Sequence, residues 1–97
     1  MALSDVTDRQ SVLDAIEEFD RLGRAAFLEK YGFREAREYF LEFAGERYDS
    51  KAIVGAAHFH QHGTALKARD FSGGSATVAK LLDGLGFAVI RVGTSSE

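Results

Sequence analysis

The sequence predicts a small α+β domain: two N-terminal helices, a β-hairpin, two more helices and a C-terminal strand that completes a three-stranded antiparallel sheet. Three observations carry this. Apolar residues recur at helical spacing in the first third of the chain. Aromatic residues alternate from Tyr39 onward, and a mostly apolar run, Phe87 to Val92, follows a last helical stripe.

Val12, Leu13, Ile16, Phe19 and Leu22 lie three or four apart, which is one face of an amphipathic helix. Asp8 or Ser11 is placed to cap its start, and Gly23 interrupts it. A second short helix runs through Ala25, Ala26, Phe27, Leu28 and Tyr31. Gly32 stands where a left-handed residue closes a helix, and Phe33 follows where a Schellman ending places its apolar contact with Leu28.

Tyr39, Leu41 and Phe43 then alternate with Phe40 and Glu42, a strand pattern. Ala44-Gly45 is a two-residue turn, which puts Glu42 opposite Arg47 and Leu41 opposite Tyr48. The second strand stops at Asp49-Ser50, and either residue can cap a third helix from Lys51 to His58. The small side chains of that helix imply close packing against the sheet or another helix. A loop-like stretch from Gly63 to Gly74 leads into a fourth helix that starts near Ser75 or Ala76. Its buried stripe is Val78, Leu81, Leu82 and Leu85, and Gly86 and Phe87 form its Schellman end. The last strand, Phe87–Val92, pairs with the hairpin.

At 97 residues the chain is one domain, read as residues 1–93 with a polar tail or linker start at 94–97. With 45% apolar and 28% charged residues it has the balance of a folded globular protein. It contains no cysteine, which excludes disulfides and Cys-ligated zinc, and no proline, which excludes cis-Pro turns. Its start lacks the basic and apolar regions of a signal peptide, and no apolar run approaches a membrane span, so a cytoplasmic protein without a membrane partner is expected. Net charge is −3, but it is uneven: residues 1–45 hold 6 Lys/Arg against 10 Asp/Glu, and residues 46–97 hold 6 against 5. An anion-binding surface is therefore expected in the second half.

Two stretches can carry chemistry there. Arg47, Ser50 and Lys51 surround the start of the third helix, where unpaired amides and the helix dipole favour an anion. The plain alternative is a capped helix with a solvated lysine, and an acidic cap at Asp49 would repel a phosphate. Lys67 and Arg69 precede Ser72, Gly73, Gly74 and Ser75, whose Gly-Gly turn can converge backbone amides into an anion nest. This stretch has neither the Walker A spacing nor Gly-x-Gly-x-x-Gly, so no nucleotide cofactor is expected. Together the two stretches fit two phosphates of a DNA backbone. Tyr48, His58 and Phe71 are candidate base contacts. His58 and His62 share a helix face, but Phe59 stands where a metalloprotease has its Glu and no cysteine can complete a site, so no metal is expected. No spacing marks a nucleophile and its base, and the chain is not read as an enzyme.

The run Arg47-Tyr48-Asp49-Ser50-Lys51-Ala52-Ile53-Val54-Gly55-Ala56-Ala57-His58, followed by Asp70-Phe71-Ser72-Gly73-Gly74, Thr77-Val78, Leu82 and Leu85-Gly86-Phe87, resembles the N-terminal head domain of ScoMcrA-type HNH restriction endonucleases. The resemblance covers roughly residues 35–92 by motif, and the N-terminal helices match only in pattern. In that family the head precedes modules that read modified DNA and a C-terminal HNH nuclease. The resemblance thus implies a restriction or host-defence context, with double-stranded DNA and the nuclease domains of a larger polypeptide as partners. This chain has no His-Asn-His module. The expected function is a non-catalytic DNA-binding module that reads modified DNA. The alternative is a protein-interaction or dimerisation head without DNA contact, which the acidic Asp14, Glu17, Glu18 and Asp20 suit.

Overall fold

A computed structural model describes residues 3–71 and 74–92. The predicted α+β architecture is present: helices α1 (Arg9–Leu22) and α2 (Arg24–Tyr31), strands β1 (Tyr39–Phe43) and β2 (Glu46–Asp49), helices α3 (Ser50–His62) and α4 (Gly74–Gly84), and strand β3 (Ala88–Arg91). Short 3-10 turns lie at Leu3–Asp5 and Ala68–Asp70. The sheet is antiparallel in the order β2-β1-β3. Among the described residues, no helix is long and apolar enough to cross a membrane. The polar tail read at 94–97 lies outside the described residues.

Local chemistry sets most boundaries. The Asp8 carboxylate accepts from the Gln10 amide at 3.0 Å and so caps α1, while Ser11 is buried inside that helix. α2 ends on left-handed Gly32, with the Phe33 amide donating to the Leu28 carbonyl at 3.0 Å, and α4 ends the same way through Gly86, Phe87 and Leu82. Ala44 (φ 52°) and Gly45 (φ 82°) both adopt positive φ, the signature of a type I′ hairpin turn. The register pairs Glu42 with Arg47 and Leu41 with Tyr48.

Helix α3 is the centre of the molecule. α1, α2, α4, the sheet and both 3-10 turns pack around it. Every residue from Ala52 to His58 is buried, as expected of a helix without a polar face. It runs one turn past the predicted end, because Gly63, not His58, supplies the left-handed cap. The close approach at Gly55 involves neither sheet nor helix: the Leu66 amide donates to the Gly55 carbonyl at 3.2 Å, and the Leu66 carbonyl and the Phe33 ring crowd the position of the missing side chain.

Candidate nucleic-acid interface

The chain passes from β2 into α3 with no residue between them, so Asp49 is both the last strand residue and the helix N-cap position. Neither expected cap forms. The buried Asp49 carboxylate accepts from Arg24 Nε at 2.9 Å, Arg24 Nη2 at 2.8 Å and the Ala36 amide at 2.7 Å. Ser50 is 1% exposed and donates its hydroxyl to the Tyr39 carbonyl at 3.1 Å. Asp49 thus ties the loop between α2 and β1 to the start of α3, and its hydrogen bond holds the Arg24 guanidinium more firmly protonated than usual. Removing the carboxylate in Asp49→Ala leaves the Ala36 amide without an acceptor. The expected cost is about 2–4 kcal/mol, with Ala36 amide hydrogen exchange accelerated relative to the Leu41 amide. Unchanged Ala36 exchange would remove Asp49 from this role.

The tied loop and the helix start enclose a cleft of about 370 Å³. Residues from Gly32 to Tyr39 line it on the loop side, Asp49 to Ala52 on the helix side, and Ala68 also contributes to the lining. Its three carboxylates each have a cation from outside the lining: Arg24 lies 2.8 Å from Asp49 and 3.8 Å from Glu35, and Arg91 pairs with Glu38. Among the described residues, Arg34, Arg37 and Lys51 pair with no carboxylate. Because the single Arg24 serves both Asp49 and Glu35, the cleft and the two cations tied to it carry five positive charges against three negative, a surplus of two. Lys67 and Arg69, both exposed, are the chain neighbours of Ala68.

The expected DNA-binding residues divide accordingly. Lys51 lines the cleft; Lys67 and Arg69 do not, although Ala68 between them does. Ser50 also lines it, but its hydroxyl is committed to Tyr39. Arg47 is exposed outside the lining, two residues before Asp49 on the same strand face. Ser72 and Gly73 lie outside the described residues, and Gly74 and Ser75 form the first turn of α4.

The candidate base contacts are placed otherwise than expected. Tyr48 is 2% exposed, packs edge-on against Phe19 and donates its hydroxyl to Asp20 at 2.9 Å; burial and that bond push the hydroxyl up to about 12. His58 is 1% exposed, with Nδ1 held by the Thr64 carbonyl. Phe71 is 8% exposed, edge-on to Phe33. As folded, these three have no free face on which a base can stack. Periodicity gave no hint of this for His58, which follows a run of small core residues.

Sequence reasoning gave no ligand-contacting role to three lining residues, Phe33, Arg34 and Arg37. It also placed the anion-binding surface in the second half of the chain, whereas two of the three free cations come from the first half. The available signal was the run Arg34-Glu35-Ala36-Arg37-Glu38 between two aromatic residues, too polar for a strand and too short for a helix.

A second polar cluster lies away from the cleft. Glu18 on α1, 3% exposed, accepts from Lys30, from the Tyr31 hydroxyl at 2.6 Å and from His60 Nε2 at 2.9 Å. Burial pushes the Glu18 carboxyl up, and the bonds from Lys30, Tyr31 and His60 more than reverse this, so it stays ionised further into acid than usual. Among the described residues, no group of three or more His, Asp or Glu is arranged to hold a metal ion.

The family described as "ScoMcrA-like, N-terminal head domain" matches residues 4–91. A solved structure titled "Structure of the Type IV phosphorothioation-dependent restriction endonuclease ScoMcrA" is similar at 33% sequence identity and a TM-score of 0.67. The likeness covers 91% of this chain and 13% of that one. No curated protein matches the chain.

Proposed function

The chain belongs to the ScoMcrA-like N-terminal head domain family, and from that premise we propose that it is a non-catalytic, DNA-holding head of a modification-dependent restriction endonuclease. The observation that supports this best is the cleft wall, where Arg34, Arg37 and Lys51 lack carboxylate partners while the three acids beside them are held by Arg24 and Arg91, leaving a local surplus of positive charge. A molecule of net charge −3 has no global attraction for a polyanion, so a local patch must supply it. Cations without a base-reading aromatic among Tyr48, His58 and Phe71 suit contacts that position a duplex without reading its sequence. The similar solved structure is named phosphorothioation-dependent, so DNA carrying a modified backbone is the proposed substrate of the larger protein, of which this head spans a small share. Its nuclease domains are the proposed covalent or assembled partners.

Fluorescence anisotropy with a short duplex across a salt series tests the reading. The expected slope of log K against log salt is about −3, from about −0.9 per phosphate contacted, and Lys51→Ala and Arg37→Ala should each reduce it by about one unit. Plain and phosphorothioated duplexes should bind alike. A zero slope, or slopes unmoved by both variants, would sink the assignment; a strong preference for the phosphorothioated duplex would make the head itself the reader. A second reading, a docking or dimerisation head, is favoured by the sheet face opposite Leu41 and Val89, where the half-buried Phe40 and Ile90 sit side by side. A concentration-dependent dimer in light scattering, without duplex binding, would select it.

A further inference from the structure

The cleft has more to offer than charge. Its volume of about 370 Å³ falls in the range of small-ligand sites, roughly 300–1,000 Å³, and exceeds what a lone phosphate needs. Two aromatic residues, Phe33 and Tyr39, stand in its lining beside the unpaired Arg34, Arg37 and Lys51. The Arg91 guanidinium stands over the Tyr39 ring, 5.9 Å from its centroid, and is itself tied to Glu38. Phe33 is braced by Phe71, whose ring meets it edge-on at 5.7 Å. Fixed aromatic walls next to free cations form a composite surface: a flat π-system on one part, a phosphoryl group on the other.

We propose that this cleft binds a single nucleotide, its base against Phe33 and Tyr39 and its phosphate against Lys51 and the two arginines. The proposal rests on the DNA-holding reading and deepens it, since the nucleotide can be one displaced from a DNA strand. Stacking on an aromatic face tolerates every base, so the site takes nucleotides without sequence preference. The base-contacting role expected of Tyr48 and Phe71 thus falls to Tyr39, the first residue of β1, and to Phe33, two residues past the end of α2.

The test titrates the purified chain with three probes, deoxyadenosine monophosphate, deoxyadenosine and inorganic phosphate, followed by NMR. The monophosphate should bind at least about tenfold more tightly than either fragment. Tyr39→Ala should reduce it to the level of phosphate, Lys51→Ala to the level of the nucleoside, and Tyr39→Phe should retain binding and show that the strand start still folds. Phosphate binding as tightly as the nucleotide, or a Tyr39→Ala variant with undiminished nucleotide affinity, would overturn the proposal. Duplex anisotropy on the same samples separates the two readings: duplex binding without nucleotide binding defeats the pocket alone, and nucleotide binding without duplex binding defeats the DNA-holding head alone. A 2-aminopurine opposite a mismatch then identifies the source. A fluorescence rise lost in Tyr39→Ala places a strand nucleotide in the cleft, and its absence assigns the cleft to a free mononucleotide.

Discussion

Glu18→Ala should be among the most destabilising single substitutions in this domain. The carboxylate joins three helices, because its partners Lys30 and Tyr31 lie on α2 and His60 on α3. Its removal strands the Tyr31 hydroxyl in the core, whereas Lys30, half-exposed, can turn to water. A loss of about 2–4 kcal/mol is expected, toward the lower end of values for broken buried ion pairs because of that escape. In a domain of this size that corresponds to a fall in Tm of about 10–25 °C. The pH dependence follows from the direction of the Glu18 shift. Its folded-state pKa lies below the ordinary value of 4.5, so its contribution is fully present above that value and disappears as pH falls through the folded value. Urea midpoints of wild type and Glu18→Gln should therefore differ most above the ordinary carboxylate range and converge as pH falls through the lowered folded-state value. A gap that stays constant through acid titration until both proteins unfold would show that Glu18 stabilises by shape, not charge.

Gly55→Ala is the second large effect, and it links stability to the cleft. An added Cβ would stand 2.8 Å from the Leu66 carbonyl oxygen and 2.9 Å from two Phe33 ring carbons. The carbonyl belongs to backbone already bonded to Gly55, so it cannot retreat without breaking that bond. Helix propensity favours alanine by about 1 kcal/mol, and overpacking of this kind costs about 1–3 kcal/mol. With both backbone and ring in the way, the upper part of that range is expected, for a net loss of about 1–2 kcal/mol. The variant should also weaken nucleotide binding by displacing Phe33. Gly84→Ala in α4 is the control, since nothing lies within 4 Å of its added carbon. It should be neutral or slightly stabilising in thermal melts. Equal melting shifts for the two variants would refute the crowding at Gly55.

Local rules recovered the framework where chain neighbours decide the outcome. The hairpin register followed from the Glu42–Arg47 and Leu41–Tyr48 pairs, and the ends of α2 and α4 from Gly-Phe pairs, because each involves residues a few positions apart. What was illegible depends on distance along the chain. Asp49 looks like a helix cap from its neighbours, and only Arg24, 25 residues earlier, turns it into a loop anchor. Glu18 sits beside the apolar stripe of α1 as any surface acid would, and its burial is visible only once Lys30, Tyr31 and His60 converge on it. The 33–38 segment has no period, so its cleft-lining role emerges from what it is tied to, not from its own composition. The ScoMcrA-like motifs survived these errors because most lie in α3 and α4, whose spacing is fixed by the core.

The seam at Asp49–Ser50 has a mechanical consequence. With no slack between ribbon and central helix, there is no hinge on which one could swing against the other, so torque applied to the hairpin is delivered whole to the helix. A cargo seated at that seam would travel with the domain as on a rigid arm, and any flexing that delivers it elsewhere has to come from outside these two elements.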